Sequence, residues 1–273
     1  RMSMTAPTRR WPAIAARLDA YERLVRLDKP IGILLLLWPT LAALWIALDG
    51  QPSFRLVLVF TVGTIVMRCA GCAFNDWADR KFDAHVTRTA GRPLPRGDIA
   101  PWEALVVGAA FALAGFVLTI LTTNVLTVLL SVVALAIAMA YPFFKRFFAL
   151  PQAFLGVAFS FGIPMAFAAA QQGVSGLGWA LFAVNLVWVV AYDTEYAMVD
   201  RDDDVKLGIR TSALTFGRFD VAAVAACYVV YLAGMAWIGH ALAFGASYWA
   251  GLAIAVVLAG YHVWIIRTRD RAA

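Results

Sequence analysis

Charge is scarce in this chain. Only 15% of its 273 residues are Asp, Glu, Lys or Arg, against about a quarter in an ordinary soluble domain. No polar stretch is long enough to fold as a soluble domain of its own. Cysteine and histidine number three each. Cys69 and Cys72 form a C-x-x-C, but Cys227, His85, His240 and His262 are scattered along the chain and do not complete a zinc site. The cysteines read as small apolar packing residues. Strict in/out alternation is also absent from runs such as "VLTVLLSVVALAIAMA", which excludes a membrane β-barrel. The opening charged stretch lacks the short n-region and cleavage site of a secretory signal.

What is abundant is apolar: 62% of residues are hydrophobic. They fall in blocks of roughly 17–20 residues, the length of a helix that crosses a bilayer core. Eight such blocks are legible, at about 31–48, 56–74, 104–121, 125–141, 153–170, 179–196, 221–239 and 248–266. The expected fold is all-α: a polytopic transmembrane helix bundle of eight spans. Pro39, Gly162 and Pro164 lie inside spans, where such residues are better tolerated than in soluble helices.

The formal charge of +6 is unevenly placed. Basic residues precede span one and follow spans two, four, six and eight, whereas the links "DGQPSFR", "TTN", "QQGVSG" and "HALAFGAS" carry almost none. The positive-inside rule puts both termini and the even-numbered links in the cytoplasm. Topology accounts for the basic excess without a nucleic acid. Ahead of span one, "YERLVRLDKP" reads as an amphipathic interfacial helix, with Tyr21, Leu24, Val25 and Leu27 on lipid and Arg23 and Arg26 toward headgroups.

Nine of the 17 acidic residues sit in two clusters, "NDWADRKFD" (75–83) and "YDTEYAMVDRDDD" (192–204), so the carboxylates are not a general solvated coat. Each cluster closes the cytoplasmic end of an even-numbered span. Asn75, Asp79 and Asp83 are four apart, as are Asp200 and Asp204, and Asp193 lies almost two turns before Asp200 on the same face. Like charges at that spacing repel by a few tenths of a kcal/mol, on a membrane flank that normally favours Lys and Arg. A cation between the two stripes explains them. The ligands are hard oxygens, which suits Mg²⁺, and Mg²⁺ binds through a few carboxylates together with substrate phosphates. A diphosphate between two carboxylate walls follows. Arg88, Arg92, Lys145, Arg146, Lys206 and Arg210 flank the clusters, as candidates to neutralise its oxygens. Spans two and six share an orientation, which suggests two four-helix halves around a shared central cavity.

The two motifs, N-D-x-x-D-x-x-x-D at 75–83 and D-x-x-x-D at 200–204, resemble those of the UbiA superfamily of intramembrane prenyltransferases. "RLDKPIGILLLLWPTLAALW", "RCAGCAFNDWADRKFDAHVTRTAGRPLPRG", "YPFFKRFFALPQ", "GIPMAFAA" and "VAYDTEYAMVDRDDDVKLGIRTSA" are similar to the bacterial 4-hydroxybenzoate polyprenyltransferases of ubiquinone biosynthesis. The resemblance runs from about residue 26 to 218. It implies a single transmembrane domain at 31–266 between a cytoplasmic segment at 1–30 and a tail at 267–273, with a ninth helix usual in the family where eight are legible. It further implies an inner-membrane enzyme whose site faces the cytoplasm, with polyprenyl diphosphate, 4-hydroxybenzoate and membrane lipids as partners. Asn75, Asp79, Asp83, Asp200 and Asp204 would hold Mg²⁺. Arg146 is the first candidate for the acceptor's carboxylate and Lys145 the next, and Asp193 or Tyr192 would meet its phenol. Another aromatic acceptor, a divalent-cation transporter and a lipid-binding scaffold are the competing readings. A transporter would place its carboxylates near the midplane on broken helices, not at span ends.

Overall fold

A computed structural model describes residues 10–144 and 146–269, with side chains from residue 14 onward. Among them there is no strand. The helices are α1 (Arg10–Val25), α2 (Ile31–Ala47), α3 (Phe54–Asp83), α4 (Pro93–Arg96), α5 (Pro101–Thr122), α6 (Val125–Phe144), α7 (Pro151–Ser160), α8 (Gly162–Gln171), α9 (Gly176–Leu207), α10 (Ser212–Phe216), α11 (Asp220–Ala241) and α12 (Ala246–Ile266). Seven helical units are long and apolar enough to cross a membrane, and α2, at 17 residues, is the shorter eighth. All eight expected spans are therefore present. Their outward faces carry large exposed apolar side chains, such as Leu129, Val132 and Val133 on α6 and Val256, Val257 and Leu258 on α12. A continuous apolar exterior of this kind needs lipid, and the chain is an integral membrane protein.

Two helices outrun their apolar blocks. Ser53 caps α3 by accepting from Leu56 N at 3.3 Å, and the helix then continues for 30 residues to Asp83. Ser175 caps α9 in the same way from Gly178 N, and α9 runs 32 residues to Leu207 before Gly208 stops it in the left-handed region at φ 66. Sequence hydropathy ends these spans at residues 74 and 196. The extra turns carry the acidic motifs, and at 1.5 Å per residue they rise roughly 14–17 Å beyond the apolar blocks.

The fifth span is two helices. Pro164 has no N–H to give to the Ser160 carbonyl, so the ladder breaks at Phe161 between α7 and α8. At the break α2 comes very near: a Cβ on Gly162 would lie 2.1 Å from Thr40 Oγ1. Only glycine permits that approach. The first four spans (α2, α3, α5, α6) and the first two of the second half (α7–α8, α9) line a central cavity, joined where α2 packs on α8 and α6 on α7. In contrast, α11 packs on the outside of α9 and α12 on α11, so the second half is not arranged evenly around the cavity.

The N-terminal segment corrects one expectation. Residues 21–25 are helical, but Leu24 and Val25 are 0% and 4% exposed. With Ala20, Leu24 packs on Ala73, Leu94, Ile99 and Ala104 of the protein rather than on lipid. Arg17 pairs with Glu103, and Tyr21 donates to the same carboxylate at 2.7 Å. Arg26 turns inward to line the cavity instead of facing headgroups. Tertiary burial outcompetes the interface because α4 and α5 offer α1 an apolar face.

Candidate active site

The cavity has a volume of about 990 Å³. Its mouth is polar: Asn75, Asp79 and Asp83 from α3 face Asp193, Asp200 and Asp204 from α9. The four-residue spacing survives because both helices remain unbroken through the motifs. Below the mouth the walls turn apolar or weakly polar, with Phe60, Met67, Phe116, Leu135, Phe159 and Met165 among them. A charged rim above a greasy chamber is the arrangement that an amphiphile with an anionic head requires.

The carboxylates of the rim are engaged by arginines from the α3–α4 connection. Arg88 grips both oxygens of Asp200, with Nε at 3.0 and 3.1 Å and Nη2 at 2.5 Å. Arg92 donates to Asp83 at 2.7 Å and to Asp76 at 3.0 Å. Thr87 N donates to Asp203 at 3.1 Å. The segment "RTAGRPLP" is thus folded back over the mouth and tied to both acidic helices. Burial, and then the nearby Arg26 guanidinium, hold Arg92 below the ordinary arginine value. Burial pulls Arg88 in the same direction, but the Asp200 carboxylate outweighs it and Arg88 stands above that value.

Of the residues singled out in the sequence, Asn75, Asp79, Asp83, Arg88, Arg92, Arg146, Tyr192, Asp193, Asp200, Asp204 and Arg210 all line this one cavity. Arg146 donates to Ala78 O at 3.3 Å and lies over the rings of Phe82 and Phe143. Arg210 donates to Phe147 O at 2.8 Å. The Tyr192 hydroxyl is buried and has no hydrogen-bond partner among the described residues. Lys206 is not brought to the cavity: its side chain is 75% exposed and reaches Asp203 at 3.9 Å. It sits on the outer side of the last turn of α9, so its sequence proximity to Asp204 is misleading. Lys145 lies outside the described residues.

Besides Arg26, a second cavity arginine escaped sequence analysis. Arg68 sits on α3 seven residues before Asn75, about two turns deeper, with its guanidinium over the Phe159 ring at 5.4 Å. The signal was available: an arginine interrupts an apolar span, and an ionisable residue within a membrane helix marks function by default.

Whether these residues suit a metal depends on the donor set. Among the described residues no three Asp, Glu, His or Cys side chains converge tightly enough to hold an ion by themselves. The rim nevertheless offers only hard oxygens from two facing walls, and two of its carboxylates already attract guanidinium cations. That fits Mg²⁺, which takes a few carboxylates and completes its shell with water and phosphate oxygens.

Comparison with known proteins identifies the family and the fold. Residues 36–273 match the family described as the UbiA prenyltransferase family. The chain is 63% identical over 256 residues to a protein of Ralstonia nicotianae named 4-hydroxybenzoate octaprenyltransferase, covering 94% of this chain and 88% of that one. A protein of the same name from Burkholderia orbicola is 62% identical, with 94% and 89% covered. Among solved structures, a UbiA homolog from Aeropyrum pernix K1 superimposes with a TM-score of 0.71 at 25% identity, covering 97% of this chain and 92% of that one. A UbiA homolog from Archaeoglobus fulgidus bound to GPP and Mg²⁺ has a TM-score of 0.72 at 17% identity, with 92% and 88% covered, and shares the fold. The chain belongs to the UbiA prenyltransferase family and is an integral membrane prenyltransferase.

Proposed function

We propose that the enzyme transfers a polyprenyl group from polyprenyl diphosphate to the ring of 4-hydroxybenzoate, ortho to the hydroxyl, in ubiquinone biosynthesis. The observation that carries this reading is the meeting of both acidic stripes and the inward-facing arginines at the mouth of one apolar chamber. The names of the Ralstonia and Burkholderia relatives supply the acceptor. Family membership favours an enzyme over a cation transporter.

Asn75, Asp79, Asp83, Asp200 and Asp204 are the residues that would hold Mg²⁺. Bound there, the ion supplies Lewis-acid neutralisation of the departing diphosphate. Arg88, Arg92 and Arg210 lie at the rim, where they meet the negative charge that grows as the C–O bond ionises. The apolar walls below exclude water, which would otherwise capture the allylic cation. Phe159 and Phe116 present rings in that chamber. The acceptor is an anion, and Arg146 at the mouth with Arg68 deeper down are the cations placed to receive its carboxylate. The unpartnered Tyr192 hydroxyl and the adjacent Asp193 are placed to contact the phenol. C–O cleavage releases diphosphate and the allylic cation, ring attack on that cation forms the C–C bond, and the ring proton passes to a base to restore aromaticity.

We place the transmembrane domain at residues 31–266, the flanking segments and the rim on the cytoplasmic side, and the enzyme in the bacterial inner membrane. The basic residues gathered on the rim side support that orientation. The direct test supplies purified protein with labelled polyprenyl diphosphate, Mg²⁺ and either 4-hydroxybenzoate or another aromatic acceptor. Prenylated 4-hydroxybenzoate is expected from wild type and not from Asp79→Ala or Asp200→Ala. Full activity in both variants, or preference for another acceptor, overturns the reading.

A further inference from the structure

Asp76 is the aspartate of the first motif that the metal stripe leaves over. It follows Asn75 by one residue and so points about 100° away from the Asn75–Asp79–Asp83 line. It is 1% exposed and is not part of the cavity wall. Its Oδ1 accepts from Arg26 Nη2 at 2.5 Å and from Arg92 Nη1 at 3.0 Å. Its Oδ2 is buried without a hydrogen-bond partner among the described residues. A buried carboxylate needs cations, and here one carboxylate holds two.

Both guanidiniums line the cavity mouth. They come from different parts of the chain: Arg26 from the turn between α1 and α2, Arg92 from the connection between α3 and α4. Arg26 sits in the left-handed region at φ 58, which a side chain with a Cβ adopts at a cost. Such a conformation persists only where the surroundings over-determine it. Here they do. Leu24 is packed against Ala73 and Leu94, and Leu27 N closes onto Glu22 O at 3.2 Å. The whole turn is built to deliver one guanidinium to Asp76.

We propose that Asp76 is a positioning residue that sets Arg26 and Arg92 as a preassembled cationic pair, and that Arg26 binds the diphosphate of the donor. This rests on the diphosphate reading above. Arg92 also donates to Asp83 at 2.7 Å, a residue of the metal stripe. When a diphosphate arrives, Arg92 passes from Asp83 to a phosphate oxygen and Asp83 is released for the metal. The bond to Asp76 keeps Arg92 at the mouth throughout that exchange. Arg26 meets the same anion from the opposite segment. Holding both side chains beforehand removes the ordering cost that two long arginines would otherwise incur on binding.

The test uses the full chain in detergent and inorganic pyrophosphate, titrated calorimetrically with Mg²⁺ and again with chelator. Asp76→Asn and Arg26→Gln are each expected to weaken pyrophosphate binding about tenfold, in line with other residues that orient ligands from behind. The double variant is expected to lose more than either single variant but clearly less than the roughly hundredfold product, because part of what Asp76→Asn removes is the positioning of Arg26 and only the positioning of Arg92 is added. In turnover, the donor KM rises while the acceptor KM stays put, a split that general misfolding would not produce. Arg55→Gln, at the far end of α3, controls for loss of one positive charge. Should Asp76→Asn not fold, Arg26→Gln decides alone. Wild-type pyrophosphate affinity in Arg26→Gln, or losses that multiply in the double variant, overturns the proposal and leaves the diphosphate reading standing. Failure of wild type to bind pyrophosphate at all overturns both.

Discussion

Arg88 holds Asp200 with three hydrogen bonds of 2.5–3.1 Å across 112 residues of sequence. The loop that follows the first acidic motif is thereby latched to the second. The guanidinium occupies carboxylate oxygens that the proposed metal also needs, so arginine and ion compete for Asp200.

That competition gives the first prediction. Arg88→Ala frees Asp200, so half-saturation by Mg²⁺ should fall to a lower concentration while the donor KM rises, by about tenfold for a lost charge-assisted contact. Steady-state rates across an Mg²⁺ series measure both. A half-saturation that rises with the donor KM would show that the latch assists the metal instead of opposing it.

Arg68 and Arg146 are the two cations proposed for the acceptor's carboxylate. Arg68→Ala and Arg146→Ala should each raise the KM for 4-hydroxybenzoate by about tenfold or more, the scale for removing one partner of a desolvated charge pair, with the donor KM unchanged. Phenol, which is the acceptor without its carboxylate, should bind wild type poorly and lose nothing further in whichever variant carries the contact.

Tyr192→Phe separates function from stability. The hydroxyl is buried without a partner among the described residues, and its ring stays edge-on to Trp188. Removing it should leave thermal stability unchanged or raise it by about 1 kcal/mol, since an unsatisfied polar group is relieved. Turnover with 4-hydroxybenzoate should nevertheless fall. An unaltered rate would remove Tyr192 from the acceptor's contacts.

Gly162→Ala tests the broken fifth span. The new Cβ falls 2.1 Å from Thr40 Oγ1, and overpacking of this kind costs about 1–3 kcal/mol. The melting temperature in detergent should drop, and Thr40→Ala in the same chain should recover part of the loss. No drop would mean that α2 and α8 yield easily.

Much of the site was legible because helical spacing is a local property. Asn75, Asp79 and Asp83 had to share a face if α3 stayed helical, and hydropathy located the ends of the apolar blocks. Hydropathy also ended α3 and α9 too early. It measures the cost of leaving water, and the acidic turns stay helical through tertiary pairing instead. Lys206 shows the limit of proximity: two residues from Asp204, it points elsewhere. Arg26 shows the converse, being remote in sequence and yet at the mouth.

The sequence by itself determined the eight spans, the side on which the basic residues gather and the two carboxylate stripes, since length, composition and the 3.6-residue period settle these within one segment. Only the tertiary structure decided which cations those carboxylates meet. Asp76 as the anchor of Arg26 and Arg92, Arg88 on Asp200, and Arg68 turned into the chamber all depend on how separate helices pack. The physical reason is range. A helix fixes the direction of a side chain relative to its own axis, but the partner it finds is set by contacts between segments dozens of residues apart.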